Sequence, residues 1–365
     1  MSESEHRLDA DLVRALTFRW SDLPTVTADL PGTAGHIRAH PDDFVVCEIP
    51  AYLPEGRGSH TYVRVEKVGR TTRDLVSLLV AAGVPDRSIG VAGLKDKAAR
   101  TEQWLSLPNA HAAAVAALEE ADGVRVLEVS RHRNKLGVGH LHGNRFTVRV
   151  RDVAPGAAAR AVAILDALAE RGAPNYVGPQ RFGRFGRNAI DGYLELKGET
   201  RPGGPRLRRF FVAALQSQLF NLLLAGRVRD GSYASVVSGD WARKHDTGGT
   251  FEVLDPEVEA PRARALAISA TLPLYGSKVR VSNGAAGAAE AAALERLGLR
   301  WSDFRARRGD RRSSRLAGLE AAVDDEGDAL LLRFTLPKGS YATTLLREIT
   351  KGEVDAPLDA PDDGG

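Results

Sequence analysis

The stretch Gly93-Leu94-Lys95-Asp96-Lys97-Ala98-Ala99-Arg100-Thr101-Glu102-Gln103-Trp104 sets one acid, Asp96, between two lysines, after a glycine turn and ahead of a strand-like run over 101–107. Flanking cations keep a carboxylate ionised and attract polyanions. Beside a phosphate-binding surface such an aspartate can do nucleophilic chemistry on a nucleic acid. Read alone, the same residues also make a plain charged turn with weak surface ion pairs. The elements on either side decide between the two readings and set the fold class.

Toward the N-terminus, residues 44–49 read as a strand and 61–66 alternate, with Val63 and Val65 facing opposite to Tyr62, Arg64 and Glu66. Thr72 then reads as the cap of a helix with the stripe Leu75, Val76, Leu79 and Val80, closed by Gly83 and Pro85. Residues 1–33 read as a loose polar arm with one short helix at 9–18. Toward the C-terminus follow a helix at 111–120, strands at 124–129 and 146–150, and a helix at 157–171 ended by Gly172-Ala173-Pro174. The character then shifts. Residues 175–186 are rich in Gly and Arg, helical patterns cover 207–229 and 257–269, and a small strand-and-turn unit lies at 239–251. Strand alternation returns at 329–336, before a helix at 341–350. Strands at both ends around a more helical middle give an α/β fold (an α+β mixed sheet) carrying an inserted domain. The expected division is 1–170 with 304–351, an insertion at 171–303, and a disordered acidic tail at 352–365.

A chain of 365 residues that is 43% hydrophobic can build a core and is too apolar for global disorder. A net charge of +3 does not by itself mark a nucleic-acid binder, but the distribution does more: 181–187, 206–209 and 305–315 are basic and 353–363 is acidic. The single cysteine, Cys47, excludes an intrachain disulfide and a Cys-cluster metal site, and its apolar run makes it a buried filler. No early apolar segment resembles a signal peptide and no run reads as spanning length, so a cytoplasmic monomer without a membrane partner is expected.

Three further segments carry chemistry. In 131–146, cations suit phosphates, Asn144 can hydrogen-bond a base edge or the backbone, and Phe146 offers either a stacking face or a core residue at the start of a strand. His132, His140 and His142 raise a metal reading, against which no carboxylate sits at a useful spacing, so no metal is expected. Residues 175–183 mix amide, aromatic and arginine groups on a loop fixed by Gly and Pro, fit for RNA or for an interdomain joint. In 336–348, Gly339-Ser340 leads into a helix N-terminus that suits an anion or simply closes the sheet.

Five segments in order, at 41–48, 93–96, 135–146, 175–183 and 336–348, resemble the TruD-type tRNA pseudouridine synthases over nearly the whole chain. The resemblance implies that Asp96 is the catalytic aspartate. It implies a pseudouridine-synthase catalytic domain with the middle region as the family's inserted TRUD domain, and tRNA as partner with a D-arm uridine, uridine-13 in bacterial members, as target. The reaction is an isomerisation and implies no cofactor. On this reading Phe146 stacks on the flipped base, Asn144 holds the loop or the uracil edge, and Lys95 and Lys97 favour the ionised acid and bind phosphate. Arg38 stands where the family usually has lysine; it keeps the charge but is bulkier and forked. Thr71-Thr72 stands where the family often has Asn-Thr. The rival readings are a non-catalytic tRNA-binding or folding chaperone on the same scaffold and an RNA methyltransferase, whose nearest glycine loop would be Gly284-Ala285-Ala286-Gly287.

Overall fold

A computed structural model describes residues 8–199 and 204–352. The tail expected as disordered falls outside them except for Gly352, as do the first seven residues of the N-terminal arm. In chain order the elements are α1 (Ala10–Leu16), β1 (Phe44–Pro50), β2 (His60–Lys67), α2 (Thr72–Ala81), β3 (Gly90–Val91), β4 (Arg100–Pro108), α3 (Ala116–Glu119), β5 (Val124–His132) and β6 (Leu141–Arg151). Then come α4 (Ala157–Arg171), β7 (Ala173–Pro174), α5 (Asn188–Leu196), α6 (Pro205–Arg229), β8 (Trp241–Lys244), β9 (Thr250–Glu252), α7 (Pro256–Arg264) and β10 (Ile268–Leu274). The chain closes with α8 (Gly284–Glu295), β11 (Asp310–Ser313), β12 (Arg315–Leu316), β13 (Ala321–Asp325), β14 (Ala329–Pro337) and α9 (Ala342–Thr350).

The chain divides into two compact units. One comprises Gly32–Val162 with Glu320–Ala342; the other runs to Pro31, resumes over Ala163–Leu319 and continues from Thr343. These edges differ from the expected 170/171 and 303/304. The reason for the difference at the termini is a set of buried bonds within the second unit. The Glu348 carboxylate accepts from the backbone N–H groups of Val26 and Thr27 and from the Thr27 hydroxyl, tying the N-terminal arm to α9. The arm is therefore packed rather than loose: Leu16, Leu23 and Thr27 are buried.

The first unit is built on an eight-stranded sheet in the order β13-β14-β6-β1-β4-β2-β5, with β3 added to β4. Only β1 and β4 run parallel; the other pairs are antiparallel. Alternation in β2 puts Val63 and Val65 against Leu105 and Leu107 of β4 and against Leu75 and Leu79 of α2, forming one core cluster. The cap of α2 is Thr71, one residue before the expected Thr72. Thr71 Oγ1 accepts from Asp74 N at 3.1 Å, and the Asp74 carboxylate accepts from Thr71 N at 2.6 Å, a closed capping box. The shift releases the Thr72 hydroxyl for another task, described below.

The second unit holds a four-stranded sheet ordered β11-β10-β8-β9 and the short pair β12-β7, with α5 and α6 packed together. The helix expected over 257–269 ends at Arg264, and its last residues open β10. That strand is buried along nearly its whole length, so it shows no alternation to read. Arg315, itself 1% exposed, bonds the carbonyls of Ala263, Ile268 and Arg171 and so joins the ends of α7 and α4 to β10. The segment at 175–177 acts as an internal joint: Asn175 donates to Ser313 O at 2.9 Å, and the Asn221 side chain bonds Val177 in both directions at 2.8 and 2.9 Å. Among the described residues, α6 alone is long and apolar enough to cross a membrane, whereas the sequence reading found no such run. Some 67% of its apolar window is buried inside the structure, and its Gln216 and Asn221 make buried hydrogen bonds, as in a core helix.

Candidate active site

Asp96 sits on the loop between β3 and β4, and its backbone is held from the buried side. Lys67, the last residue of β2, lies on the same face as Val63 and Val65 and is fully buried. Its ammonium donates to Arg70 O at 2.5 Å and to Asp96 O at 2.6 Å. Burial pushes the Lys67 pKa down to about 8, against the pull of Asp96. The freed Thr72 hydroxyl accepts from Lys95 N at 2.8 Å and donates to Gln103 Oε1 at 2.8 Å. Lys95 turns inward, where Nζ meets Glu48 Oε2 at 2.9 Å in an ion pair whose side chains are 6% and 1% exposed. Glu48 also accepts from Trp104 N, which fastens the loop to β1 and β4 together.

Two consecutive loop residues are thus fixed through their backbone, and the Asp96 carboxylate stays 39% exposed. Arg38 Nη2 stands 3.8 Å from Asp96 Oδ2. Arg38 adopts a left-handed backbone conformation, φ 64°, and lays its guanidinium 4.4 Å from the centre of the Phe44 ring. The residues after it are fixed by Asp43, a fully buried carboxylate that receives both Arg151 Nε and Nη2 and accepts from His40 N; the Arg151 guanidinium holds its pKa below the usual carboxylate range.

Phe44 meets Phe146 edge-on at 6.1 Å, and Phe146 stacks on Phe334 at 5.2 Å. This row follows from the register, which pairs Val46 with Phe146 and Phe146 with Phe334. One rung on, Asn144 pairs with Glu48 and Leu336 and shares the face of Phe146. Asn144 Oδ1 is buried and has no hydrogen-bond partner among the described residues. A buried acceptor without a donor is costly in a folded protein unless something else supplies the donor.

Of the residues read from the sequence, Asp96 and Arg38 come together, and Arg38 joins them to the Phe44–Phe146 row. Asn144 lies one rung from Phe146. Lys95 is committed to Glu48 rather than to the Asp96 carboxylate, and Lys97 is exposed. Phe146 is buried, with Phe334 against its face and Phe44 meeting it edge-on, so here it takes the core position read as the alternative to a stacking face. Cys47 is half-buried rather than a full core filler, and burial raises its thiol pKa. Tyr52 stacks on His132 and meets His140 edge-on, with Tyr52 Oη 2.7 Å from His140 Nδ1. Among the described residues no group of His, Cys, Asp and Glu could hold a metal ion. Sequence reasoning missed Lys67, Glu48, Phe44 and Phe334. Lys67 had a legible signal, since its parity in β2 puts a lysine on the core face.

The fold is that of a pseudouridine synthase. A crystal structure from Methanosarcina mazei described as tRNA pseudouridine synthase D superposes with a TM-score of 0.70 at 23% identity, covering 94% of this chain and 98% of its own. A family model described as tRNA pseudouridine synthase D (TruD) matches residues 22–191 and 203–349. A tRNA pseudouridine synthase D of Thermus thermophilus is 51% identical over 94% of this chain and 97% of its own length. One from Anaeromyxobacter dehalogenans is 49% identical over 93% and 99%. The chain belongs to the tRNA pseudouridine synthase D (TruD) family.

Proposed function

We propose that this protein isomerises a D-arm uridine of tRNA, uridine-13, to pseudouridine, with Asp96 as the catalytic residue, working as a cytoplasmic monomer. The observation that carries the reading is a carboxylate whose backbone is fixed from the buried side while its oxygens face outward beside an arginine. In the reaction the N1–C1′ bond breaks, the uracil turns, C5 joins C1′, the C5 proton leaves and N1 takes one up. Nothing is gained or lost and no redox occurs, so the chemistry asks for no cofactor. Asp96 adds to C1′ or C6, or removes the C2′ proton along a glycal path.

The target base leaves its stack to reach Asp96, at a cost of roughly a few kcal/mol. The partnerless Asn144 Oδ1 suits the uracil N3–H as donor. The buried Phe44–Phe146 pair backs this position from one rung away. Arg38 and exposed Lys97 take flanking phosphates, whereas Lys95 serves the loop through Glu48. As part of this proposal the expected insertion at 171–303, whose edges differ from those of the second compact unit, holds the rest of the tRNA.

The test is pseudouridine mapping on tRNA transcripts incubated with the protein and with Asp96→Asn, no cofactor added. Product at one D-arm uridine, lost in the variant while tRNA binding persists, is the expected outcome. Tight binding of a full tRNA pool without product by the unaltered protein would overturn the enzyme reading in favour of a chaperone.

A further inference from the structure

Among the described residues two aromatic side chains are exposed, Phe185 at 74% and Phe210 at 37%. Both lie in arginine-rich sequence of the second unit, whereas the site built around Asp96 belongs to the first. Residues 181–187 carry Arg181, Arg184 and Arg187, and 205–211 carry Arg206, Arg208 and Arg209, with no acid in either stretch. The two stretches meet through the Arg181 guanidinium, 5.5 Å from the centre of the Phe210 ring. Arg184, Arg206 and Arg209 are exposed.

The loop that carries Phe185 is held from beneath. Phe182 is fully buried and stacks on Phe18, ring centres 4.6 Å apart and 10° from parallel. Phe18 N donates to Gly186 O at 2.8 Å, Gly186 N to Gly183 O at 3.0 Å and Asn188 N to Phe182 O at 3.0 Å. Gly183 and Gly186 take φ of +76° and +70°, and a Cβ on Gly186 would stand 2.5 Å from Phe18 O. The backbone therefore fixes the tip, and the outward ring is a property of the loop's construction rather than of a slack segment.

We propose that Phe185 is a stacking platform for an unpaired RNA base, with Arg184, Arg206 and Arg209 taking the phosphates on either side. The proposal rests on tRNA being the substrate. An exposed π-face with the Arg184 guanidinium 5.5 Å from its centre, in arginine-rich sequence, matches a base between phosphates, because every base offers a π-face and every linkage a charge. An apolar protein partner would be matched by a broader patch free of charge, and the arginines of 181–187 and 206–209 oppose that.

The experiment uses the full chain and a tRNA transcript, with Kd measured by fluorescence anisotropy over a series of salt concentrations. Because Phe185 is exposed, Phe185→Ala is expected to melt at the unaltered temperature. It should weaken binding roughly 5- to 150-fold, the span of one lost base–aromatic stack. Its salt slope should match that of the unaltered protein, since no phosphate contact goes. Phe185→Trp should restore affinity and Phe185→Leu should not. At saturating tRNA the rate of pseudouridine formation by Phe185→Ala should equal that of the unaltered protein. Equal Kd for Phe185→Ala and the unaltered protein overturns the platform, and full affinity in Phe185→Leu overturns stacking in favour of a plain apolar contact. If the unaltered protein neither binds nor converts tRNA, the functional reading itself falls, a result distinct from either.

Discussion

Lys67 decides how the site is held. Its ammonium is fully buried and bonds the carbonyls of Arg70 and Asp96, so Asp96 is gripped by its backbone while its carboxylate stays partly exposed. Its pKa falls to about 8 from an ordinary 10.5 because burial outweighs the attraction of Asp96 and Asp74, and Lys95 adds repulsion. Between those two values the unfolded chain still holds a proton that the folded chain has released, so stability rises with pH across that window. The destabilisation is complete below the lower value. Lys67→Met should flatten this rise relative to the unaltered protein in thermal melts from about pH 7 to about pH 10. It should also lower the rate of pseudouridine formation at neutral pH by roughly tenfold to a hundredfold, because the Asp96 loop loses its anchor and small misplacements are expensive in rate. An unchanged rate would mean that Thr72 and Glu48 alone fix the loop.

At the scale of elements, the sheet register brings the aromatic row and Asn144 to one face, and β6 with β14 is the pair that matters most. Gly143, one residue before Asn144, lets these strands approach: a Cβ there would stand 2.2 Å from Leu336 O. Backbone cannot yield as a side chain can. Gly143→Ala should therefore part the strands at the rung carrying Asn144, lowering stability by about 1–3 kcal/mol and activity by more than that loss alone explains. Denaturant melts beside product assays at a temperature where both proteins stay folded would separate the two effects; full activity would free the rung from any role. The elements most legible in the sequence were those with one wet face, such as β2 with its alternating Val63 and Val65, and α4, read to its residue limits. Only Ile268 and Ser269 of β10 were read, as the end of a helix, because burial on both faces removes alternation, and β13 was missed because Ala321–Asp325 is short and polar at a sheet edge. For the site, Asp96, Asn144 and Arg38 were legible as residue types in a motif. The inward turn of Lys95 and the grip of Lys67 depend on which strands become neighbours, which no local pattern states.

For the molecule as a whole, charge distribution outweighs net charge. The formal +3 includes Glu353, Asp355, Asp359, Asp362 and Asp363, with no Lys or Arg beyond Lys351, so residues 1–352 carry +8. For the proposed RNA substrate both numbers matter if the acidic segment, covalently present at high effective concentration, competes with phosphate for the exposed arginines. Truncation after Gly352 should tighten tRNA binding severalfold at about 50 mM salt, where the screening length exceeds roughly 10 Å. The gain should fade toward about 0.5 M, because counterion release then dominates and exposed charges are screened. The rate at saturating tRNA should not change, as none of these acids belongs to the loop, strand or aromatic row around Asp96. Anisotropy titrations of both proteins across that salt range test the point directly. Parallel lines of log Kd against log salt, offset by nothing, would show that the acidic segment never reaches the RNA-binding arginines. Converging lines would make it an electrostatic competitor that sharpens the preference for ligands with enough phosphates to displace it.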